Sequence, residues 1–89
     1  MNKRYVKELA KTITEIKDTK TAEDFLHNIL TPTELEEISK RLQIVIMLSK
    51  GIPQRKIAQK LSVAVATVGR GSREMKYGKP GFKKILAKK

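Results

Sequence analysis

Six of the seven residues at positions 42–48 are apolar: Leu42, Ile44, Val45, Ile46, Met47 and Leu48, with Gln43 the exception. Wound into a helix, they cover most of its circumference, and a helix that is apolar nearly all round must be buried on most sides. A chain of 89 residues has little surface of its own with which to do that. The expectation is a helix at a subunit interface, with a partner supplying the missing apolar area. Local signals bound this helix. Thr31 suits an N-cap, Pro32 the first helical position and Glu34 the third, from which its carboxylate reaches back to the cap amide. Leu35 and Ile38 begin the apolar face, and Gly51 ends the helix, after about Lys50, with a left-handed residue.

The remaining segments also read as helices. In residues 3–17, Val6, Leu9, Ile13 and Ile16 recur every three or four positions, close to a heptad seam. The polar stretch 18–21 breaks that stripe, and Thr21 followed by Glu23 and Asp24 suits a new helix start, with Phe25, Leu26, Ile29 and Leu30 as its apolar face. Pro53 opens a helix over 54–61, residues 62–64 turn, and a helix follows over 65–77. Residues 78–81 break the chain, and Phe82, Ile85 and Leu86 mark a closing helix over 80–88. The prediction is an all-α single domain over 1–89, with no internal repeat and no strand.

Helix, short turn and helix over 54–77 is the helix-turn-helix plan. Ile57, Ala58 and Leu61 face inward, Val63 plugs the turn and Val68 anchors the second helix. Ser62 stands at the turn position that favours a left-handed residue, and Ala64 offers no side-chain cap to the second helix. The structural alternative is an ordinary helical hairpin. Charge argues against it. Residues 1–49 hold eight Lys/Arg and eight Asp/Glu, whereas residues 50–89 hold twelve Lys/Arg and one acid, Glu74. The whole net charge of +11 therefore falls on the half that carries the motif. Such asymmetry points to a polyanion, and in this motif the N-terminal residues of the second helix face base edges. The candidate DNA contacts are Gln54, Arg55, Val65, Ala66, Thr67, Gly69, Arg73 and Lys76.

Other function classes find little support. There is no Cys and a single His, His27, so neither a thiolate metal site nor a nucleophile with its base is on offer. Glu34, Glu36 and Glu37 read as first-turn acids, and the chain is expected to be no enzyme, with no catalytic residue, no metal and no resident cofactor. The aromatic residues, two Tyr and two Phe, are not clustered as a stacking platform for single strands. Lys3, Arg4 and Lys7 are followed by no apolar run, so neither a signal peptide nor a membrane span is expected, and the absence of Cys fits a cytoplasmic setting.

Leu30-Thr31-Pro32, Arg41 with Ile44-Val45, Gln54-Arg55, Ala66-Thr67 and Arg70-Gly71-Ser72 stand in an order and spacing that resembles the bacterial trp repressor family, over roughly residues 28–77. The stretch 51–54 is one residue shorter than in that family. The resemblance implies an intertwined, all-helical homodimer, with residues 1–50 as dimer scaffold and two reading heads on double-stranded operator DNA. It also implies a corepressor, L-tryptophan, between the central helix and the second helix of the motif. Arg41 and Arg70 would flank the indole ring, Thr31 would meet the ligand carboxylate, Leu30 would offer its carbonyl to the amine, and Val45 and Gly71 would complete the site. Glu74 replaces the family's serine near the ligand amine, Gly69 stands where a threonine reads DNA, and Ala58 takes the place of a DNA-facing lysine. Each assignment has a structural alternative: Thr31 as cap alone, Arg41 as a solvated arginine, Arg70 on phosphate, Gly71 as a close helix contact. The functional alternative is a regulator of the same fold that is ligand-independent or senses another small molecule.

Overall fold

The computed structural model of the chain describes residues 1–87. Six α-helices follow one another: α1 (Lys3–Thr14), α2 (Thr19–Ile29), α3 (Pro32–Ser49), α4 (Gln54–Leu61), α5 (Val65–Tyr77) and α6 (Gly81–Leu86). No strand occurs among the described residues. The chain divides into two compact units, residues 1–35 and 36–89, with the division falling inside α3.

In the first unit, Asn2 caps α1 by accepting from the amides of Arg4 and Tyr5 at 3.0 and 3.2 Å. The helix stops at Thr14, so Ile16 lies beyond the stripe it was expected to close. The second helix begins earlier than Thr21 suggested. Asp18 is its cap, accepting from the Thr21 amide at 2.9 Å and from the Thr21 hydroxyl at 2.8 Å. Thr21 is therefore a residue of the first turn that secures the cap. The two bonds hold the Asp18 carboxyl below its ordinary pKa, the backbone bond foremost, because both favour the charged form. At the start of α3 the expected reciprocal box is formed: Glu34 N–H donates to Thr31 Oγ1 at 3.2 Å, and Thr31 N–H donates to Glu34 Oε1 at 2.9 Å. Val6, Leu9, Ile13, Leu26 and Ile29 are all exposed in the single chain.

The second unit holds the core. Ile44 of α3, Ile57 and Ala58 of α4 and Val68 of α5 form one buried cluster, against which Met47, Leu48, Ile52, Leu61 and Val63 pack. α4 and α5 match the sequence-derived boundaries, because Pro53 and the polar turn punctuate them on both sides. Gly51 ends α3 with φ +79°, the left-handed conformation that favours glycine. Ser62 adopts φ 54°, the same region without that freedom. The apolar run 42–48 is buried in graded fashion: Ile44 and Val45 fully, Ile46, Met47 and Leu48 half, and Leu42 40% exposed. α6 is shorter than expected, and the expected terminal residue Lys88 lies outside the described residues. No helix among the described residues is long and apolar enough to cross a membrane.

Candidate functional site

The turn between α4 and α5 is built from backbone. Ser62 N–H donates to Gln59 O at 3.4 Å, and Val63 N–H donates to Ala58 O at 3.0 Å, so Val63 is drawn onto the core as the plug of the turn. Ala58 is 6% exposed because α5 packs directly over it. The inward-facing reading of Ala58 is thereby borne out, and a long cation there would be driven into the core. Val68, 0% exposed, fixes α5 against Ile57. Residues 65, 66, 69, 73 and 76 then fall on the outer side of α5, by the three-to-four-residue repeat of a helix. Val65, Ala66, Arg73 and Lys76 are exposed there, as are Gln54 and Arg55 at the start of α4. Gln54 and Arg73 converge on Gly69: a Cβ built there would have Gln54 Oε1 at 3.7 Å and Arg73 Nη1 at 4.0 Å. No side chain caps α5 and no acid sits in its first turn, so its leading amides carry the positive end of the helix dipole unopposed.

A second face of α5 lines a cavity of about 650 Å³. Thr67, Arg70, Gly71 and Glu74, again at helical spacing, form one wall, and Glu37, Lys40, Arg41, Ile44 and Val45 of α3 form the other. Val63 and Phe82 complete the lining. The volume is in the range of small-molecule sites. Five expected ligand residues, Arg41, Val45, Arg70, Gly71 and Glu74, are thus brought together. Leu30 and Thr31 belong to the other unit, at the C-cap of α2 and the N-cap of α3. Thr67, expected at the DNA, lies on the cavity wall while remaining solvent-exposed. Glu37, Lys40 and Phe82 were not anticipated. For the α3 pair the signal was present, since 37, 40, 41, 44 and 45 make one helical stripe, but the first-turn acids masked it.

The cavity's charges are mixed and mostly unmatched. Among the described residues, Lys40 alone of the five charged residues lining the cavity (Glu37, Lys40, Arg41, Arg70 and Glu74) is in an ion pair, with Glu36 at 3.6 Å, outside the cavity. Glu37, Arg41, Arg70 and Glu74 leave charges of both signs to a bound molecule, above an apolar floor of Ile44, Val45 and Val63. Gly71 supports the close-packing alternative, for a Cβ there would lie 2.8 Å from Ile44 Cγ2. No group of three or more His, Cys, Asp or Glu suited to a metal occurs among the described residues.

An all-helical chain in which one helix of a helix-turn-helix also walls a charged cavity defines a helix-turn-helix protein with a cavity behind its second helix. The chain belongs to the Trp repressor protein family, whose model matches residues 4–89. It is 46% identical over 61 residues to the Trp operon repressor homolog of Actinobacillus succinogenes, covering 67% of this chain and 60% of that protein. With the homolog of Mannheimia succiniciproducens it shares 45% over 67 residues, 74% of this chain and 66% of the relative. The match therefore spans about three-fifths to two-thirds of these relatives. A crystal structure of a TrpR like protein from Eubacterium eligens superposes with a TM-score of 0.88 at 28% identity, covering 98% of this chain and 90% of that one.

Proposed function

We propose that this chain is a sequence-specific DNA-binding transcriptional repressor, corepressed by L-tryptophan bound between α3 and α5. One observation carries the reading: α5 is shared. Its outer side, with Gln54 and Arg55 of α4, is cationic and exposed, while the adjacent face walls the cavity. A ligand seated there sets the angle of the helix that reads DNA. An amino acid with a flat apolar side chain suits the lining. The guanidinium planes of Arg41 and Arg70 stack on an aromatic face or pair with a carboxylate, Glu37 and Glu74 accept from an ammonium, and the floor takes the ring.

Repression by a two-headed reader requires a homodimer. Val6, Leu9 and Ile13 of α1 with Leu26 and Ile29 of α2 in the first unit, and separately Ile38 and Leu42 of α3 in the second, are exposed apolar residues that a second copy would cover. Two heads would then enter major grooves one helical turn apart, about 34 Å, the known spacing for dimers of this motif, trp repressor included.

The deciding measurement is affinity for a duplex selected from a random pool, with and without L-tryptophan at fixed salt. Tightening by L-tryptophan supports the reading, because a corepressor must prefer the DNA-competent state. Equal affinity overturns corepression and favours the second reading, a regulator of the same fold that is ligand-independent or senses another small molecule. The two carboxylates in the cavity are the observation on that side.

A further inference from the structure

We propose that Arg73 reads a guanine in each half-site of the operator, through a notch that Gly69 leaves open on the outer side of α5. The inference rests on the reading as a dimeric, DNA-binding repressor and names a base that it selects.

Sequence is read by directional contacts to base edges, and the outer side of α5 offers few. Val65 and Ala66 carry no hydrogen-bonding group in their side chains, and Gly69 has no side chain at all. Arg73 and Lys76 remain, and Lys76 stands in the last turn. An ammonium is a point charge suited to phosphate, whereas a guanidinium presents a planar fork of donors. Arg73 is exposed and, among the described residues, in no ion pair, so its fork is not committed to a carboxylate.

Position 73 lies well along α5, but its charge does not. Helical side chains lean towards the N-terminus and cover the turn before their own. Arg73 Nη1 accordingly lies over Gly69, 4.0 Å from where a Cβ would stand. That carries the guanidinium about one turn, roughly 5.4 Å, towards the end of the helix that meets base edges. Gln54 Oε1, 3.7 Å from the same point, forms the other side of the notch, and its partial negative charge attracts the fork. A β-branched residue at position 69 would place further atoms beyond Cβ, against both groups, and would displace the guanidinium. In the major groove guanine presents two adjacent acceptors, O6 and N7, and no other base does. An arginine fork on that edge is the commonest specific contact to DNA.

The test uses the full chain, with L-tryptophan present throughout, and a duplex selected from a random pool. Each guanine of the site is replaced in turn, in both half-sites, by 7-deazaguanine, which lacks the N7 acceptor and still pairs with cytosine. One replacement is expected to lower the affinity of the native chain roughly fivefold or more, the lower end of what a bidentate pair provides. Arg73→Ala is insensitive to that replacement, and so is Arg73→Lys, which keeps the charge without the fork. Gly69→Val keeps Arg73, fills the notch and loses the sensitivity as well. If no replacement affects the native chain, or if Arg73→Ala or Arg73→Lys stays as sensitive as the native chain, guanine reading by Arg73 is overturned while the repressor reading stands. If Arg73→Ala weakens binding to every duplex alike and lowers the salt slope, Arg73 is a phosphate contact and the proposal is likewise overturned. If Gly69→Val keeps the sensitivity, the role of the notch is overturned. If the native chain selects no sequence from the pool, the repressor reading itself fails.

Discussion

Gly71 and Ile44 meet with no room for a methyl group between them: a Cβ on Gly71 would stand 2.8 Å from Ile44 Cγ2. Ile44 is fully buried and its Cγ2 branches directly from Cβ, so it cannot swing aside as the tip of a long side chain would. Gly71→Ala is expected to destabilise by about 1–3 kcal/mol from overpacking, outweighing the roughly 1 kcal/mol that alanine gains in a helix. Urea unfolding would check it, and a midpoint at or above the native one would remove Gly71 from the packing account.

Two positions earlier the opposite is expected. A Cβ on Gly69 meets nothing nearer than 3.7 Å. Gly69→Ala should therefore stabilise the chain by up to about 1 kcal/mol through helix propensity alone. Measured side by side, the two alanines separate packing from propensity within one helix.

Ser62 stands at φ 54°, ψ 49° in the turn of the motif. The left-handed conformation costs a side-chain-bearing residue roughly 1 kcal/mol or more relative to glycine. Ser62→Gly is expected to raise the thermal midpoint by a few degrees. Amide exchange should show residues 63–72 less protected than 35–48 in the native chain, and the difference should narrow in the variant.

Asp18 links α2 to pH. Its carboxyl titrates lower in the folded chain than in the unfolded one, because Thr21 donates to its charged form. A lowered folded pKa means that this stabilisation is present above the unfolded value and is lost as pH falls through the folded one, so the acid limb below about pH 4 carries it. Asp18→Asn retains a capping side chain without the charge. Stability profiles from pH 7 to pH 2 should be flatter for the variant, and parallel profiles would show that the cap contributes nothing to the acid response.

Under the proposed function, Arg55 at the start of α4 is a phosphate contact. Arg55→Ala should weaken binding to every duplex and reduce the slope of log affinity against log salt by about 1. A loss confined to one sequence, with the slope unchanged, would make Arg55 a base reader instead.

The helix-turn-helix was legible almost to the residue because its boundaries are set by local chemistry: Pro53 at one end, a turn with Ser62, and Gly78 with Pro80 at the other. The start of α2 was less so, since Asp18, Thr19 and Thr21 are all capable caps and only backbone geometry chooses Asp18. That Arg41, Arg70 and Glu74 share one site could be read from their order along the chain, and all three line the cavity. Phe82 could not, because its place on the cavity depends on how the chain returns after residues 78–81, and nothing in a lone aromatic on a short helix encodes that return. Ala58 was legible as well, because a small residue on the inward face of α4 is what allows α5 to cross it.

The sharing of α5 among a buried face, a cavity wall and an exposed cationic side has a consequence for how such a chain can diverge. Thirteen residues carry three constraints, and almost every substitution falls under one of them. Tyr77, 83% exposed at the last turn, is the nearest to an unconstrained position. Under the proposed function, a lineage that changes what the cavity accepts does so mainly from α3 or α6, where Glu37, Lys40 and Phe82 touch the cavity without belonging to α5. Ligand preference would then drift from the far walls while α5 stays fixed.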